Sequence, residues 1–192
     1  RVPTVDTETL LHAYSHGFFP MCEAGQLTWH NPDPRAIIPL DAVHIPRRLA
    51  KTVRQAPFRL TLNTAFEAVM RACAQPSVLH HGRDTTWISD DMVATYTELH
   101  TAGFAHSIEC WQGEQLVGGL YGVAIGRAFM GESMFSTVRD ASKVAFVHLV
   151  ELLNAQQFVL LDVQYSNPHT AQFGVVEIAR EEYLQRLEQA LG

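Results

Sequence analysis

Apolar residues follow helical spacing through much of the first half of the chain and strand spacing through much of the second half. Apolar positions three or four residues apart predict helices, and alternation predicts strands. The predicted helices of the first half cover residues 10–17, 45–54, 63–73 and 89–100, and one strand covers residues 59–62. Five prolines predict an extended, loop-rich chain over residues 18–46, because proline fixes φ and lacks a donor. The polar residues 75–86 predict a loop.

The second half predicts strands around one deeply buried helix. That helix covers residues 140–157, where apolar residues occur on every face. The predicted strands cover residues 105–111, 115–125, 127–133 and 158–164, and a closing helix covers residues 180–190. This order matches that of a GNAT-like acyltransferase core. We therefore predict an α+β fold with a small N-terminal α/β domain, residues 1–102, followed by a GNAT-like domain, residues 103–192.

Composition is that of an ordinary globular protein. Of the 192 residues, 47% are hydrophobic and 18% are charged, which excludes disordered, collagen-like and disulfide-dense classes. Cys22, Cys73 and Cys110 form no C-x-x-C pair, so we expect a cytoplasmic protein. No apolar run reaches the roughly 18 residues of a membrane span, and residues 1–11 lack the apolar core of a signal peptide. We therefore expect no membrane partner.

The charge is distributed unevenly, although the formal net charge is −6. Residues 35–83 contain eight basic and two acidic residues, a net charge of +6, whereas the rest of the chain has a net charge of −12. A basic segment on an acidic body can bind a phosphate backbone at one place and repel it elsewhere. The alternative is a solvated helix face around residues 47–54.

Patterns that would indicate a cofactor, a metal or a hydrolase are incomplete. Four glycines over residues 118–126 lack the G-x-G-x-x-G spacing of a dinucleotide loop, and we expect them to let a ligand backbone approach a strand. His12 and His16 lack the glutamate of a metalloprotease motif, and the chain has no G-x-S-x-G elbow. We therefore predict neither a metal nor a cofactor.

Three polar residues lie within otherwise apolar strands. Asp162 and Gln164 are two positions apart, so both point to one face, and Glu132 ends the strand before the buried helix. A carboxylate is costly to bury unless it is paired or used in chemistry. Each carboxylate is therefore either a hydrogen-bonded structural group or a functional one, and residue types alone favour the first.

Two tryptophans lie near the basic residues, in predicted loops. Exposed aromatic residues among arginines hold single-stranded RNA ends, because a base stacks on the ring while the cations bind phosphates. Trp29 and Trp87 are candidates for this contact. The alternative is packing in the core, where tryptophan is commonly found.

Long motifs occur in order along nearly the whole chain. They are G-F-F-P at residues 17–20, W-H-N-P-D-P-R-A at 29–36, A-H-S-I-E at 105–109, L-V-G-G-L-Y-G at 116–122, G-E-S-M-F-S at 131–136, D-A-S-K at 140–143, and L-D-x-Q at 161–164 with Asn167 and His169. Together they resemble the leucyl/phenylalanyl-tRNA–protein transferase family. The resemblance implies transfer of Leu, Phe or Met from leucyl-, phenylalanyl- or methionyl-tRNA to the N-terminal Arg or Lys of acceptor proteins. That modification marks the acceptor for degradation by the N-degron route.

The resemblance also implies roles for the polar strand residues. Asp162 and Gln164 correspond to a catalytic pair, in which Gln164 orients the incoming amine. The proton that leaves the amine would pass to Asp162 or to the terminal hydroxyl of the tRNA. Glu132 would contact the aminoacyl-adenosine end of the substrate, and Asn167 would be a further substrate-binding residue.

Further residues would bind the two ends of the donor. By the same resemblance, Trp29 and Trp87 would hold the 3′-terminal adenosine. The pocket for the amino-acid side chain would be lined by Leu120, Phe129, Met134, Phe146, Leu149, Leu153 and Leu161.

Two other functions fit parts of the sequence. A GNAT acetyltransferase would need a glycine-containing pyrophosphate loop before the buried helix, and residues 136–142 contain no glycine. A tRNA-binding module without catalysis would have no use for Asp162 or Gln164.

Overall fold

The computed structural model describes residues 5–75 and 88–192, which within those ranges form seven helices and nine strands. The helices are α1 (Thr7–Ser15), α2 (Arg47–Gln55), α3 (Phe66–Cys73), α4 (Asp90–Thr101), α5 (Ala141–Ala155), α6 (Pro168–Ala171) and α7 (Arg180–Leu191). The strands are β1 (Phe19–Glu23), β2 (Gln26–His30), β3 (Arg35–Ile37), β4 (Arg59–Leu62), β5 (Ala105–Gln112), β6 (Gln115–Ile125), β7 (Ala128–Ser136), β8 (Leu160–Gln164) and β9 (Val176–Ile178). In the described ranges, no helix has both the length and the apolar character needed to cross a membrane.

Seven strands form one mixed sheet in the order β4-β5-β6-β7-β8-β3-β9, while β1 and β2 form a separate antiparallel pair. β7 and β8 are parallel, and the other neighbours in the large sheet are antiparallel. Because parallel strands need a crossover connection, α5 links β7 to β8. This β7-α5-β8 unit lies at the middle of the sheet.

Apolar residues of the sheet alternate between two cores. Phe129 and Leu161 belong to one core, and the adjacent Met130 and Leu160 belong to the other. Neighbouring residues of a strand point to opposite faces, so the sheet separates the two cores. One core contains residues of α1, α3, α4 and α7, and the other contains residues of α2 and α5.

The hydrophobic pattern predicted most of these elements. β4 and β6 have the predicted bounds, α5 and α7 differ by at most two residues at either end, and the α+β class is confirmed. The pattern missed β1, β2, β3 and β9, which have only three to five residues and therefore show little periodicity. The predicted loop over residues 75–86 lies outside the described residues except at its first position.

The large sheet includes strands from both sides of the predicted domain boundary. β3 and β4 precede Ala102 and pair with β8, β9 and β5, which follow it. The sheet is therefore continuous across residue 102, and the division into two domains stays a prediction.

Two glycines of β6 pack closely against the protein's own chain. A Cβ atom at Gly118 would lie 2.5 Å from the Cβ of Ala141, and one at Gly122 would lie 2.5 Å from the ring of Phe129. Only glycine lets α5 and β7 approach β6 so closely. The prediction that these positions admit a ligand backbone is therefore wrong at Gly118 and Gly122.

Candidate active site

The parallel strands β7 and β8 separate before either strand ends. Their pairing extends from Ala128 and Leu160 to Met130 and Asp162, although both strands continue beyond this point. In open sheets, ligands bind in the crevice at the carboxyl ends of the strands. The separation of β7 and β8 therefore marks a candidate ligand site.

A β-bulge occurs where β7 leaves β8. Across the β6–β7 pair, Tyr121 lies opposite Ser133 and Gly122 lies opposite Gly131, so Glu132 is an extra residue with no opposite partner. A bulge bends its strand and redirects a side chain, and such bulges are common next to active sites. Here the redirected side chain is the glutamate that was predicted to be functional.

In the described part of the chain, one oxygen of the Glu132 carboxyl group accepts hydrogen bonds and the other has no partner. Tyr14 Oη donates to Oε1 at 2.5 Å and lies 2.5 Å from Tyr96 Oη, and Gln164 Nε2 donates to the same Oε1 at 3.2 Å. Oε2 is shielded from solvent and has no hydrogen-bond partner among residues 5–75 and 88–192. Burial raises the pKa of Glu132 to about 8, although the hydrogen bond from Tyr14 opposes that rise.

Asp162 is fully buried among hydrogen-bond donors. Arg35 Nε donates to Oδ1 at 2.9 Å and Arg35 Nη2 donates to Oδ2 at 2.6 Å. The hydroxyl of Tyr183 donates to Oδ2 at 2.9 Å, and the backbone N–H of Gln164 donates to Oδ1 at 2.8 Å. Each carboxylate oxygen therefore accepts two hydrogen bonds, as a buried charge requires.

The Arg35 side chain is buried and makes several contacts, like the Asp162 carboxylate that it pairs with. Its side chain is 1% exposed, and its Nη1 donates to the carbonyl oxygen of Gly17 at 2.8 Å. Its Cζ lies 4.9 Å from the ring centroid of Phe19 and 4.1 Å from that of Tyr183, within the range of cation–π contacts. The guanidinium of Arg35 is therefore buried, and its contacts are with groups of the protein itself.

Gln164 has an uncommon backbone conformation. Its φ is +68°, and the N–H of Tyr165 donates to the carbonyl oxygen of Val163 at 2.8 Å. A bond from residue i+2 to residue i around a positive φ is the classic γ-turn, which costs about 1–3 kcal/mol in a non-glycine residue. The bond from Gln164 N to Asp162 holds this turn, and the turn ends with the Gln164 side chain on Glu132.

A cavity of about 370 Å³ extends into the interior beside Glu132. Its wall contains six residues predicted for the side-chain pocket: Leu120, Phe129, Met134, Phe146, Leu149 and Leu161. The wall also contains Ser133, whose Oγ is buried and has no hydrogen-bond partner in the described part of the chain. A mostly apolar cavity with a few polar groups is typical of a small-ligand site. Asp162 and Gln164 are outside the wall. Gln164 is linked to the wall by the hydrogen bond from its Nε2 to Glu132.

The remaining predicted residues lie at different places. Leu153 is buried on α5 but outside the cavity wall. Asn167 lies in the wall, and its Oδ1 accepts from two backbone N–H groups at the start of α6. Trp29 lies on β2, outside the wall, with 38% of its surface exposed. Trp87 lies outside the described residues.

Sequence reasoning missed four buried residues that hold the site: Tyr14, Arg35, Tyr96 and Tyr183. Polar side chains at apolar positions of α1, α4 and α7 are the signal that was available for the tyrosines. The pairing itself had no local signal, since 82 residues separate Tyr14 from Tyr96 and 127 separate Arg35 from Asp162.

The basic segment divides into buried, paired and exposed cations. Arg35 is buried on Asp162 and is unavailable to a phosphate backbone, and Arg48 pairs with Asp140 at 2.6 Å. Arg83 lies outside the described residues. In the described part of the chain, three exposed cations of α2 have no carboxylate partner: Arg47, Lys51 and Arg54. In the described part of the basic segment, the surface left for a polyanion is this face of α2 together with exposed Arg59 on β4, whose Cζ lies 5.3 Å from the ring centroid of Trp111.

Comparison with known proteins assigns the chain to a family. Residues 37–188 match the family described as leucyl/phenylalanyl-tRNA protein transferase, and residues 4–33 match the N-terminal domain of that family. The chain is 53% identical over 190 residues to the leucyl/phenylalanyl-tRNA–protein transferase of Gloeobacter violaceus, covering 98% of this chain and 95% of that protein. It is 53% identical over 189 residues to the enzyme of the same name from Phenylobacterium zucineum, covering 97% and 84%.

One solved structure with low sequence identity is similar in part. The structure of L-PGS from Bacillus licheniformis is 11% identical, with a TM-score of 0.47, and the match covers 84% of this chain and 51% of that one. The family matches at 53% identity confirm the resemblance seen in the motifs. The chain belongs to the leucyl/phenylalanyl-tRNA–protein transferase family.

Proposed function

We propose that the chain transfers leucine, phenylalanine or methionine from aminoacyl-tRNA to the N-terminal Arg or Lys of acceptor proteins. The reaction forms a peptide bond in the cytoplasm and marks the acceptor for N-degron degradation. The observation that carries this proposal is the mostly apolar cavity beside Glu132, at the separation of β7 and β8. It offers space for one apolar side chain next to polar groups that can hold an ester.

The arrangement of β7, α5 and β8 supports assignment of residues 103–192 to a GNAT-like domain, preceded by an N-terminal domain over residues 1–102. Two parallel strands joined by a buried helix diverge at Met130 and Asp162 and leave an opening between them. A small substrate can enter a sheet at such a point without disturbing its hydrogen bonds.

The cavity also suggests how donors are selected. Leu, Phe and Met side chains have no branch at Cβ, so each can extend from the ester into the cavity. Ile and Val carry a branch next to the ester, where the wall must exclude it. Since one methylene contributes only about 1–3 kcal/mol, shape at the branch point has to provide the discrimination. The terminal adenosine would then lie outside the cavity, against Trp29 and Trp87.

Aminolysis of an ester needs alignment more than activation. An α-amino group has a pKa of about 7.7–8.0, so roughly a tenth is neutral at pH 7. Holding amine and ester together provides effective concentrations of about 10⁵–10⁸ M. Gln164 donates through Nε2 to Glu132, which leaves its carbonyl oxygen to orient the amine. Asp162 has four donors on its two oxygens, which supports a role in holding Gln164 in place.

Leu149→Phe is expected to change the preference between donors. Leu149 lines the cavity on α5, so a phenyl ring there fills space that a phenylalanyl side chain needs. We expect the ratio of kcat/KM for phenylalanyl-tRNA to that for leucyl-tRNA to fall about tenfold or more. Transfer assays with each tRNA measure the ratio. Leu152→Phe is the matched control, because Leu152 is only partly buried and lies outside the wall. An equal loss for both donors in Leu149→Phe would argue against this cavity as the donor pocket.

Lys51→Glu is expected to weaken tRNA binding without changing the chemical step. The variant reverses an exposed charge on α2, so KM for aminoacyl-tRNA should rise. The slope of log KM against log salt concentration should decrease by about 0.7–0.9 for each phosphate contact that is lost. Steady-state transfer at several salt concentrations measures both. Arg127→Glu makes the same charge change in the exposed turn between β6 and β7. Equal effects of the two variants would show that net charge, and not α2, governs binding.

A panel of donors tests the proposed reaction. The unaltered chain is incubated with a protein that begins with Arg and with leucyl-, phenylalanyl-, methionyl-, isoleucyl- or valyl-tRNA carrying a labelled amino acid. We expect label to move from the first three only. If tRNA binds and no label moves, the chain is a tRNA-binding module. If acylation of the acceptor requires acetyl-CoA, it is an acetyltransferase.

A further inference from the structure

Glu132 lies in the cavity wall, and its Oε2 is buried without a hydrogen-bond partner among residues 5–75 and 88–192. We infer that Glu132 is the group that takes the proton from the attacking amine and returns it to the ribose oxygen of the departing tRNA. This inference rests on the proposed aminoacyl transfer and adds to it the identity of the proton acceptor.

The two oxygens of Glu132 differ in a way that suits this role. Oε1 is fixed by Tyr14 at 2.5 Å and by Gln164 at 3.2 Å, so the carboxyl group has one orientation. Oε2 is buried and has no partner in the described part of the chain, and Ser133 Oγ, in the same wall, is in the same state. Burying a polar atom without a hydrogen-bond partner costs free energy. A substrate group bound in the cavity would provide the missing partners.

Asp162, unlike Glu132, has no carboxylate oxygen without a hydrogen-bond donor. Two donor atoms of Arg35, the hydroxyl of Tyr183 and the N–H of Gln164 occupy its oxygens. Asp162 is also absent from the cavity wall. To receive a proton it would have to give up part of its bidentate contact with a fully charged, buried guanidinium, which opposes protonation. We therefore assign Asp162 to positioning, and Glu132 to proton transfer.

The proton affinity of Glu132 is set by every element packed around it. The titratable and charged groups that act on it among the described residues are Tyr14 on α1, Tyr96 on α4, Arg35 on β3, Asp162 on β8 and Tyr183 on α7. Burial raises the pKa of Glu132 to about 8, and the charge of Asp162 adds to that rise. Hydrogen bonds from Tyr14 and Gln164 and the charge of Arg35 act in the opposite direction. A carboxylate with a raised pKa is a stronger base than an ordinary one, so it can take the proton that the amine nitrogen loses as the new bond forms.

The step balances without any further reactant. The neutral amine nitrogen bonds to the ester carbonyl carbon, and one of its protons moves to Glu132 Oε2. The bond between that carbon and the ribose oxygen then breaks. The leaving oxygen takes the proton from Glu132, which returns to a carboxylate. The products are one amide and one ribose hydroxyl.

Glu132→Gln tests the inference, because the amide keeps the shape of the side chain and cannot accept the proton. We expect single-turnover transfer from leucyl-tRNA to fall by about 100-fold or more, while KM for the tRNA changes little. We also expect the rate of the unaltered chain to rise with pH toward a midpoint. Tyr14→Phe removes a hydrogen bond that favours the carboxylate, so it should move that midpoint to higher pH. A residue with a purely structural role would not move it.

The matched control is a buried carboxylate away from the cavity. Glu109 accepts from Thr61, Ser107 and the N–H of Ala65, so Glu109→Gln should lower stability without lowering the rate of transfer by folded protein. Thermal melting of each variant separates loss of fold from loss of rate. A rate within about threefold of the unaltered chain in Glu132→Gln, a change confined to KM, or an unmoved midpoint in Tyr14→Phe would each overturn the assignment. Absence of transfer by the unaltered chain would instead overturn the proposed function.

Discussion

Replacing Arg35 with methionine is expected to lower the free energy of unfolding by about 3–5 kcal/mol and to abolish transfer. The variant removes both donors of the bidentate contact and leaves the carboxylate of Asp162 buried with only Tyr183 and the backbone of Gln164. An unpaired buried charge is costly, and methionine retains the apolar volume of the arginine stem. Urea denaturation measures the loss of stability, and transfer from leucyl-tRNA measures activity.

A second variant separates stability from function at the same position. Arg35→Met combined with Asp162→Leu replaces the buried ion pair with apolar residues, which is often neutral or stabilising. We expect this double variant to regain most of the lost stability and none of the activity, because Gln164 N then has no carboxylate to hold its turn. Full activity in the folded double variant would show that Asp162 does not position Gln164.

Gln164→Ala is expected to reduce kcat by about 100-fold or more, since it removes the amide that we place against the incoming amine. The same variant keeps a Cβ atom at a φ of +68°, a conformation that disfavours residues other than glycine. Gln164→Gly also removes the amide but accepts that φ readily. We therefore expect the two variants to share the loss of kcat, with the glycine variant more stable by about 1 kcal/mol.

These two substitutions separate the effect of losing the Gln164 amide from the effect of the positive φ in the turn. Single-turnover transfer and thermal melting on both proteins provide the comparison. If Gln164→Gly retained a kcat near that of the unaltered chain, the amide of Gln164 would have no part in orienting the amine. If alanine and glycine were equally stable, the positive φ would carry no cost in this turn.

Regular elements were predictable from the sequence because their periodicity extends over many residues. The alternation in β6 and the apolar faces of α5 predicted both elements nearly to their ends. β3 and β9 have three residues each, too few to show a period, and they are strands only because they pair with each other and β3 with β8. Their position in the sheet depends on contacts that no local pattern records.

The site was predictable in its residues and not in its geometry. Glu132, Asp162 and Gln164 were visible as polar groups in apolar strands, and the family motifs gave them roles. The bulge at Glu132 and the turn at Gln164 leave no mark in the hydrophobic pattern, since each depends on how neighbouring strands pair. Arg35 belongs to the basic segment that was predicted to bind a phosphate backbone, and no nearby residue marks it as buried, because its partner lies 127 residues away. Its burial became evident only once β3 was placed beside β8.

Mass spectrometry of peptide acceptors shows directly whether the chain adds an amino acid to an N-terminal arginine. The unaltered chain and leucyl-tRNA are incubated with a peptide that begins with Arg, with the same peptide acetylated at its N-terminus, and with a peptide that begins with Ala. We expect one leucine to be added through a peptide bond to the α-amino group of the first peptide, and none to be added to the other two. Leucine on none of the peptides, or on a lysine side chain of the acetylated one, would contradict it.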